Sequence, residues 1–144
     1  MRSILFLCAL FTILSTSHAQ TPIDGLQKNN LKLLESLENE GYEFRSQIIT
    51  EFDEAHASQD VNIKLSSDYT YVIVALGDRN IPKITLQVKP SRKATLENLT
   101  STDELTGKSL KLAPIKSGRF KISINATELK ASGRGFISFM VLRK

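Results

Sequence analysis

Tryptophan is absent from this sequence, and cysteine and histidine are rare. The chain of 144 residues has one cysteine, no tryptophan and two histidines. The cysteine, Cys8, lies in an apolar run near the N-terminus, so the residues from Gln20 onward contain no thiol. Those residues therefore form neither a small domain held together by disulfides nor a thiol enzyme.

Long hydrophobic runs are missing as well. The one apolar run covers Ile4 to Leu14, after Arg2 and before the small residues Ser17 and Ala19. A charged start, an apolar middle and a small-x-small cleavage site are the parts of a secretory signal. Because about 20 apolar residues are needed to cross a bilayer, this run is too short to be an anchor. We predict a signal peptide over residues 1–19, export to the periplasm or the cell exterior, and no transmembrane segment in the mature chain.

Charge of one sign is not concentrated in any segment. The chain has 19 Lys and Arg against 15 Asp and Glu, a formal net charge of +4. The closest basic grouping is Lys89, Arg92 and Lys93, whereas a nucleic-acid surface needs a clustered basic face with aromatic residues. We expect no nucleic-acid partner. At this length one hydrophobic core is sufficient, so we also expect a single domain.

The segment after the predicted signal has the periodicity of a helix. Its apolar residues recur at spacings of three, four or seven, at Ile23, Leu26, Leu33, Leu34 and Leu37. Asp24 is the predicted N-cap, and Gly41 is placed to end the helix in a left-handed conformation. We predict one N-terminal amphipathic helix within residues 20–41. It either covers a sheet of the same chain or docks on a partner, and the pattern alone leaves both readings open.

After Gly41 the period changes from 3.6 to 2, the period of a β-strand. Three segments alternate apolar and polar residues, Val61 to Leu65, Ile84 to Val88 and Phe120 to Ile124. Two segments are apolar on both faces and are predicted to be central strands, Tyr69 to Leu76 and Phe136 to Leu142. Weaker candidates are Tyr42 to Phe52, Thr95 to Leu99 and Ser109 to Ile115. We predict a mostly β fold over residues 42–144, an antiparallel β-sandwich or jelly roll of seven or eight strands, with a small closed barrel as the alternative.

The run from Val61 to Asp78, which contains Tyr69-Thr-Tyr-Val-Ile-Val-Ala-Leu-Gly-Asp78 and is followed by Ile84 to Val88, resembles the central hairpin of bacterial pre-peptidase C-terminal-type domains. The segments from Gly118 to Ile124 and from Gly135 to Val141 resemble the closing strands of that family. The resemblance implies a small secreted jelly roll. It also implies an acidic calcium-binding stretch after Gly-Asp, but this chain has Arg79-Asn-Ile-Pro-Lys83 there. Because calcium needs six to eight oxygen ligands, we expect no calcium at this turn.

Acidic residues and an imidazole occur together in one short segment. Asp53, Glu54 and His56 are the candidate metal ligands, but a zinc site needs three or four ligands and no further His or Cys follows Gln20. We interpret the segment as a solvated acidic loop and expect no metal and no cofactor. No Gly-x-Ser-x-Gly motif is present. A hydrolase that depends on two carboxylates remains an alternative, since any two acids can meet in space.

Three residues are the candidates for ligand binding. Tyr69 and Tyr71 share one face of a predicted strand, where exposed aromatic rings stack on sugars or form an apolar patch; the alternative places both rings at the rim of the core. Arg134 lies between Gly133 and Gly135, a pattern typical of an anion-binding nest or of a hairpin turn. These observations predict a non-catalytic binding or interaction module whose partner is a protein or glycan of the cell envelope. The other alternative is a structural or assembly component that docks by its helix or an edge strand.

Overall fold

The computed structural model describes residues 22–91, 95–104, 106–130 and 132–144. The chain forms one helix followed by eight strands. Their bounds are α1 Pro22–Asn39, β1 Glu43–Asp53, β2 Ser58–Leu65, β3 Tyr71–Gly77, β4 Lys83–Pro90, β5 Thr95–Glu104, β6 Gly107–Lys116, β7 Gly118–Glu128 and β8 Arg134–Arg143. The predicted signal peptide and the basic residues Arg92 and Lys93 lie outside the described residues.

The strands form two antiparallel sheets that pack face to face. The first sheet has five strands in the order β1-β8-β3-β6-β5, and the second has three in the order β2-β7-β4. The pairs β1 with β8, β2 with β7 and β3 with β6 are nested along the chain. This nesting is the arrangement of a jelly roll, here with the fifth strand beside β6 in the first sheet. The prediction of a β-sandwich is confirmed, and within the described residues the sheets do not close into a barrel.

Two segments that the sequence likened to hairpins connect strands of different sheets. The run from Val61 to Asp78 is not a hairpin, because β2 and β3 belong to opposite sheets. The turn at Gly133 likewise joins β7 to β8 across the two sheets. Only β5 and β6 are consecutive along the chain and hydrogen-bonded to each other among the described strands. Turn residues mark where a strand ends, but they do not determine whether the chain returns in the same sheet or crosses to the other one.

Alternating side chains of β3 and β8 enter two separate cores. Tyr71, Ile73 and Ala75 point into the sandwich core, which we define as the buried residues between the two sheets. Val72 and Val74 point to the opposite side, where they meet α1 in a helix-side core. The helix-side core consists of Leu26, Leu37, Tyr42, Val72, Val74, Leu76, Met140 and Leu142. The prediction that both apolar segments are central strands is confirmed, since β3 and β8 each have a neighbour on both edges.

Helix α1 lies within the predicted range and ends as predicted, but Asp24 is not its N-cap. Gly41 has φ of +88°, the Gly41 N–H donates to the Glu38 carbonyl at 2.8 Å, and the Tyr42 N–H donates to the Leu37 carbonyl at 3.0 Å. These two bonds form a Schellman motif, which satisfies the last carbonyls of the helix. The helix starts at Pro22, so Asp24 lies in its first turn and is not the N-cap. No helix among the described residues is both long and apolar enough to span a bilayer.

Candidate functional site

Tyr71 is the first residue of β3, and Tyr69 lies two residues before the strand. Tyr71 is 6% exposed and belongs to the sandwich core, and its hydroxyl accepts the Ser66 N–H at 3.0 Å. Tyr69 is partly buried, with its ring centroid 6.3 Å from that of Tyr71 in an edge-on arrangement. The Arg143 guanidinium lies 4.2 Å from the Tyr69 ring centroid. Stacking on a ligand needs an open ring face, which Tyr71 lacks, so such a role at this position depends on Tyr69 alone.

Arg134 lies beside acidic residues. Its Nη1 atom is 3.6 Å from Glu51 Oε1, and the same cleft of about 400 Å³ is lined by Asp53 and Glu54. One N–H group of the predicted nest is not available to an anion, because the Gly133 N–H already donates to the Lys130 carbonyl at 2.8 Å. Three carboxylates around one guanidinium disfavour an anionic ligand. Anion binding by Arg134 stays a prediction, and the charges around it do not support it.

The acidic segment with His56 forms a local turn. The His56 N–H donates to Asp53 Oδ1 at 2.7 Å, and His56 Nδ1 lies 3.1 Å from the same oxygen. The backbone hydrogen bond from His56 lowers the pKa of Asp53 below its ordinary value, which is the direction opposite to that of a general acid. Glu51 and Asp53 lie in β1, so only the residues after Asp53 form a loop. In the described part of the chain, no group of three or more His, Cys, Asp or Glu side chains is arranged so that it could hold a metal ion.

Asp78, the acidic residue of the Gly-Asp turn, has a structural position. Its side chain is 2% exposed, and its two carboxylate oxygens accept the N–H groups of Asn80 at 2.8 Å and Phe136 at 3.0 Å. Gly135 lies against this carboxylate, since a Cβ there would be 2.8 Å from Asp78 Oδ1. The carboxylate therefore joins the turn after β3 to the start of β8, and both of its oxygens are occupied by backbone donors.

A groove of about 240 Å³ separates α1 from β1 on the outer face of the first sheet. We call it the β1 groove; its lining includes Gln27, Asn30, Leu31, Leu34, Ile49 and Met140. Asn30 is 4% exposed, and neither its carboxamide oxygen nor its nitrogen has a hydrogen-bond partner among the described residues. At the groove's mouth Leu31 is 67% exposed. A buried carboxamide without partners costs about 1–3 kcal/mol, so this groove contains polar binding capacity that the fold leaves unused.

The strand that borders this groove has one free edge and two partly uncovered faces. β1 pairs with β8 on one side, and no other described strand pairs with its second edge. Gln47 lies opposite Met140, which places Gln47 and Ile49 on the helix side, whereas Ile48 lies opposite Phe139 on the sandwich side. Ile48 and Ile49 are 44% and 38% exposed. Since the second sheet has three strands against five, it leaves Ile48 uncovered.

The other three edge strands carry features that discourage pairing with a further strand. β5 has two register irregularities, and β4 has one irregularity together with Lys89 and Pro90. The exposed positions of β2 are polar or charged, as at Asn62 and Lys64. In β1 the register with β8 is regular from Ser46 to Asp53. Among the described strands, β1 is thus the edge that combines regular geometry with exposed apolar side chains.

Neither Asn30 nor the edge of β1 was predicted as a site from the sequence, although the sequence contains an irregularity at each of them. Asn30 occupies a position of the apolar helical stripe, four residues after Leu26 and three before Leu33. Ile48 and Ile49 are adjacent, which interrupts the alternation of a half-buried strand and places one isoleucine on each face. Neither signal indicates by itself that an edge is open.

Comparisons with known proteins add no neighbour to this picture. No protein-family model, curated protein or solved structure matches this chain. The resemblance to pre-peptidase C-terminal-type domains therefore stays a prediction.

Proposed function

We propose that this protein is an exported, non-catalytic binding module that binds an extended polypeptide strand along β1. The observation that carries the proposal is the free edge of β1, with Ile48 and Ile49 exposed on its two faces. A strand added to such an edge gains main-chain hydrogen bonds, and its alternating side chains enter the pockets on either side. Kinship with pre-peptidase C-terminal-type domains is part of the proposal, since those are small secreted domains.

The β1 groove supports a polypeptide as the ligand. Leu31, Leu34 and Met140 give it apolar walls, and the buried Asn30 carboxamide beneath them has donors and an acceptor without partners among the described residues. A partner strand supplies side chains of both kinds on alternate residues. A glycan fits this site less well, because Tyr69, the candidate aromatic ring with an exposed part, lies outside this groove.

Helix α1 itself is not the proposed docking element. Its residues Leu26 and Leu37 are 1% and 8% exposed, within the helix-side core of the same chain. A hydrolase receives less support than a binding module. Glu51 and Asp53 each have a local partner, and the pKa of Asp53 is lowered.

The proposal is tested with a photo-reactive amino acid placed at position 48 of the full chain, in cells that export it. Position 62, exposed on the outer face of β2, provides the matched control. Irradiation at position 48 is expected to give one discrete adduct, and mass spectrometry is expected to locate it in an extended segment with alternating apolar residues. Adding Ile49→Lys removes this adduct. Equal adducts at positions 48 and 62, or an adduct that survives Ile49→Lys, contradict the proposal.

A further inference from the structure

We infer that the strand bound along β1 is β1 of a second copy, antiparallel to the first, with a two-fold axis through the midpoint between the two Ile48 residues. This inference rests on the proposed function and names the partner at the same site. Symmetric dimers use the same surface patch of both copies. A strand that pairs with its own copy must therefore have side chains that fit the same strand running in the opposite direction.

The two-fold axis decides which residues face each other. With the axis perpendicular to the sheet, residues equally distant from Ile48 lie directly opposite and on the same face. Gln47 then faces Ile49 of the second copy, and Ser46 faces Thr50. The bulge between Phe44 and Ser46 leaves Arg45 outside the regular register of β1, so the directly opposed pairs end at Ser46 and Thr50.

Charge is complementary in this register. Arg45, in the bulge, then lies beside Glu51 of the other copy, which places opposite charges at both ends of the paired segment. Arg45 has no ion pair with a described residue, and Glu51 is half exposed next to Arg134. Moving the axis by one residue to Ile49 places Arg45 opposite Asp53 instead. The Asp53 carboxylate already accepts the His56 N–H and contacts the His56 ring. The axis at Ile48 therefore brings Arg45 to Glu51, the carboxylate with fewer hydrogen bonds.

Apolar surface is also complementary in this register. Ile48 is exposed on the face that the three-stranded sheet does not cover, and across the axis it meets its own copy. On the helix side, the second copy places Gln47 opposite Ile49, at the mouth of the β1 groove. Ile48 therefore meets an identical apolar side chain, whereas Ile49 packs against the aliphatic part of Gln47, whose Nε2 donates to Ser138 Oγ of its own chain at 2.8 Å.

The size of the contact predicts a weak association. Stable protein interfaces bury about 1,200–2,000 Å² in total, and one strand pair of this length with a few side chains lies at or below the low end of that range. We therefore expect a monomer–dimer equilibrium that depends on concentration.

Cysteine variants test the register, because Cys8 is the chain's single cysteine. In the full chain with Cys8→Ala, the variants Ile48→Cys, Ile49→Cys and Asn62→Cys are oxidised in parallel. Directly opposed Cβ atoms lie about 4.5–5.5 Å apart, close to the distance of a disulfide. Ile48→Cys is expected to form a disulfide-linked dimer at least roughly tenfold faster than the other two. Equal rates, or a faster reaction at position 49 or 62, overturn the inference.

Charge reversal gives a second test without cysteine. By sedimentation equilibrium, Arg45→Glu and Glu51→Arg are each expected to weaken the dimer roughly tenfold, since like charges then face each other, and the double variant restores it. Circular dichroism checks that all three variants fold. A chain that stays monomeric at every concentration overturns the inference.

The two proposals fail in different ways. A monomeric chain whose photo-adduct at position 48 lies in a segment of another protein contradicts the second copy and keeps strand binding. A monomeric chain without any adduct at position 48 contradicts both. An adduct within β1 of the same protein supports both.

Discussion

Asp78 and Phe136 are joined by two hydrogen bonds across 58 residues of sequence. The Phe136 N–H donates to Asp78 Oδ2 at 3.0 Å, and the Asp78 N–H donates to the Phe136 carbonyl at 2.9 Å. The other carboxylate oxygen accepts the Asn80 N–H. One buried side chain thus holds the turn after β3 against the start of β8, which is the strand that pairs with β1.

Replacing this carboxylate is expected to destabilise the fold. Asp78→Ala leaves two partly buried N–H groups without an acceptor, which costs about 1–3 kcal/mol for each group, so we expect the free energy of unfolding to fall by about 2–3 kcal/mol. Urea denaturation measures it. Asp103→Ala is the matched control, because the Asp103 side chain is 86% exposed, and a change within about 0.5 kcal/mol is expected there. Equal effects of the two variants would show that the buried hydrogen bonds are not responsible.

Two substitutions in the grooves that flank α1 are expected to stabilise the protein. Asn30 and Thr106 both have buried polar atoms without a partner among the described residues, in grooves on opposite sides of the helix. Asn30→Leu and Thr106→Val remove those atoms, so each is expected to raise the free energy of unfolding by about 1 kcal/mol. Thermal and urea unfolding measure both. In the photo-crosslinking assay Asn30→Leu weakens strand binding, whereas Thr106→Val leaves it unchanged. Lower stability in both variants would mean that these atoms have partners in solution.

Two leucines of α1 separate folding from binding. Leu26 is 1% exposed in the helix-side core, whereas Leu31 is 67% exposed at the β1 groove. Leu26→Ala is expected to lower the free energy of unfolding by about 2–5 kcal/mol. Leu31→Ala changes it by less than about 0.5 kcal/mol and reduces the adduct at position 48. The opposite pattern would mean that α1 lies elsewhere than on the first sheet.

The ion pair between Asp60 and Lys121 predicts a dependence of stability on pH. Lys121 Nζ lies 2.6 Å from Asp60 Oδ2, and its hydrogen bond, followed by that of Ser123, lowers the pKa of Asp60 below the ordinary value of 3.8. Because the folded state has the lower pKa, this stabilisation is present above pH 3.8 and is lost as the pH falls through the folded-state pKa.

Asp60→Asn is therefore expected to be less stable than the wild type at neutral pH and to approach it in acid. Urea denaturation over a pH series measures the difference. Asn62→Ala, on the same strand and without a titrating group, provides the control and shows a difference that does not vary with pH. A constant difference for Asp60→Asn would show that its carboxylate does not contribute through ionisation.

Much of the local structure was predictable because it depends on neighbours in the chain. The helical stripe from Leu26 to Leu37 and the alternation in β2, β4 and β7 follow from side-chain periods of 3.6 and 2. Gly41 marks the end of α1, since a left-handed residue is needed there. The apolar runs of β3 and β8 indicate two covered faces, and the structure has a core on each.

The candidate site was much less predictable. Tyr71 was a candidate on the strength of its residue type, yet β3 is central, and that position buries its ring. The weak pattern of β1 indicated a strand and nothing about its edge. Alternation shows which side chains share a face, but it carries no information about which strand lies beside which.

By itself the sequence determined one amphipathic helix, a β domain without disulfides, and the approximate positions of the strands along the chain. The tertiary structure alone decided that β1 lies at the edge beside β8, that α1 covers β3 and β8, and that Asn30 faces a groove without a partner. The reason is that strand pairing depends on hydrogen bonds between segments far apart in sequence, such as β1 and β8. An open edge exists only where the last of these pairings ends.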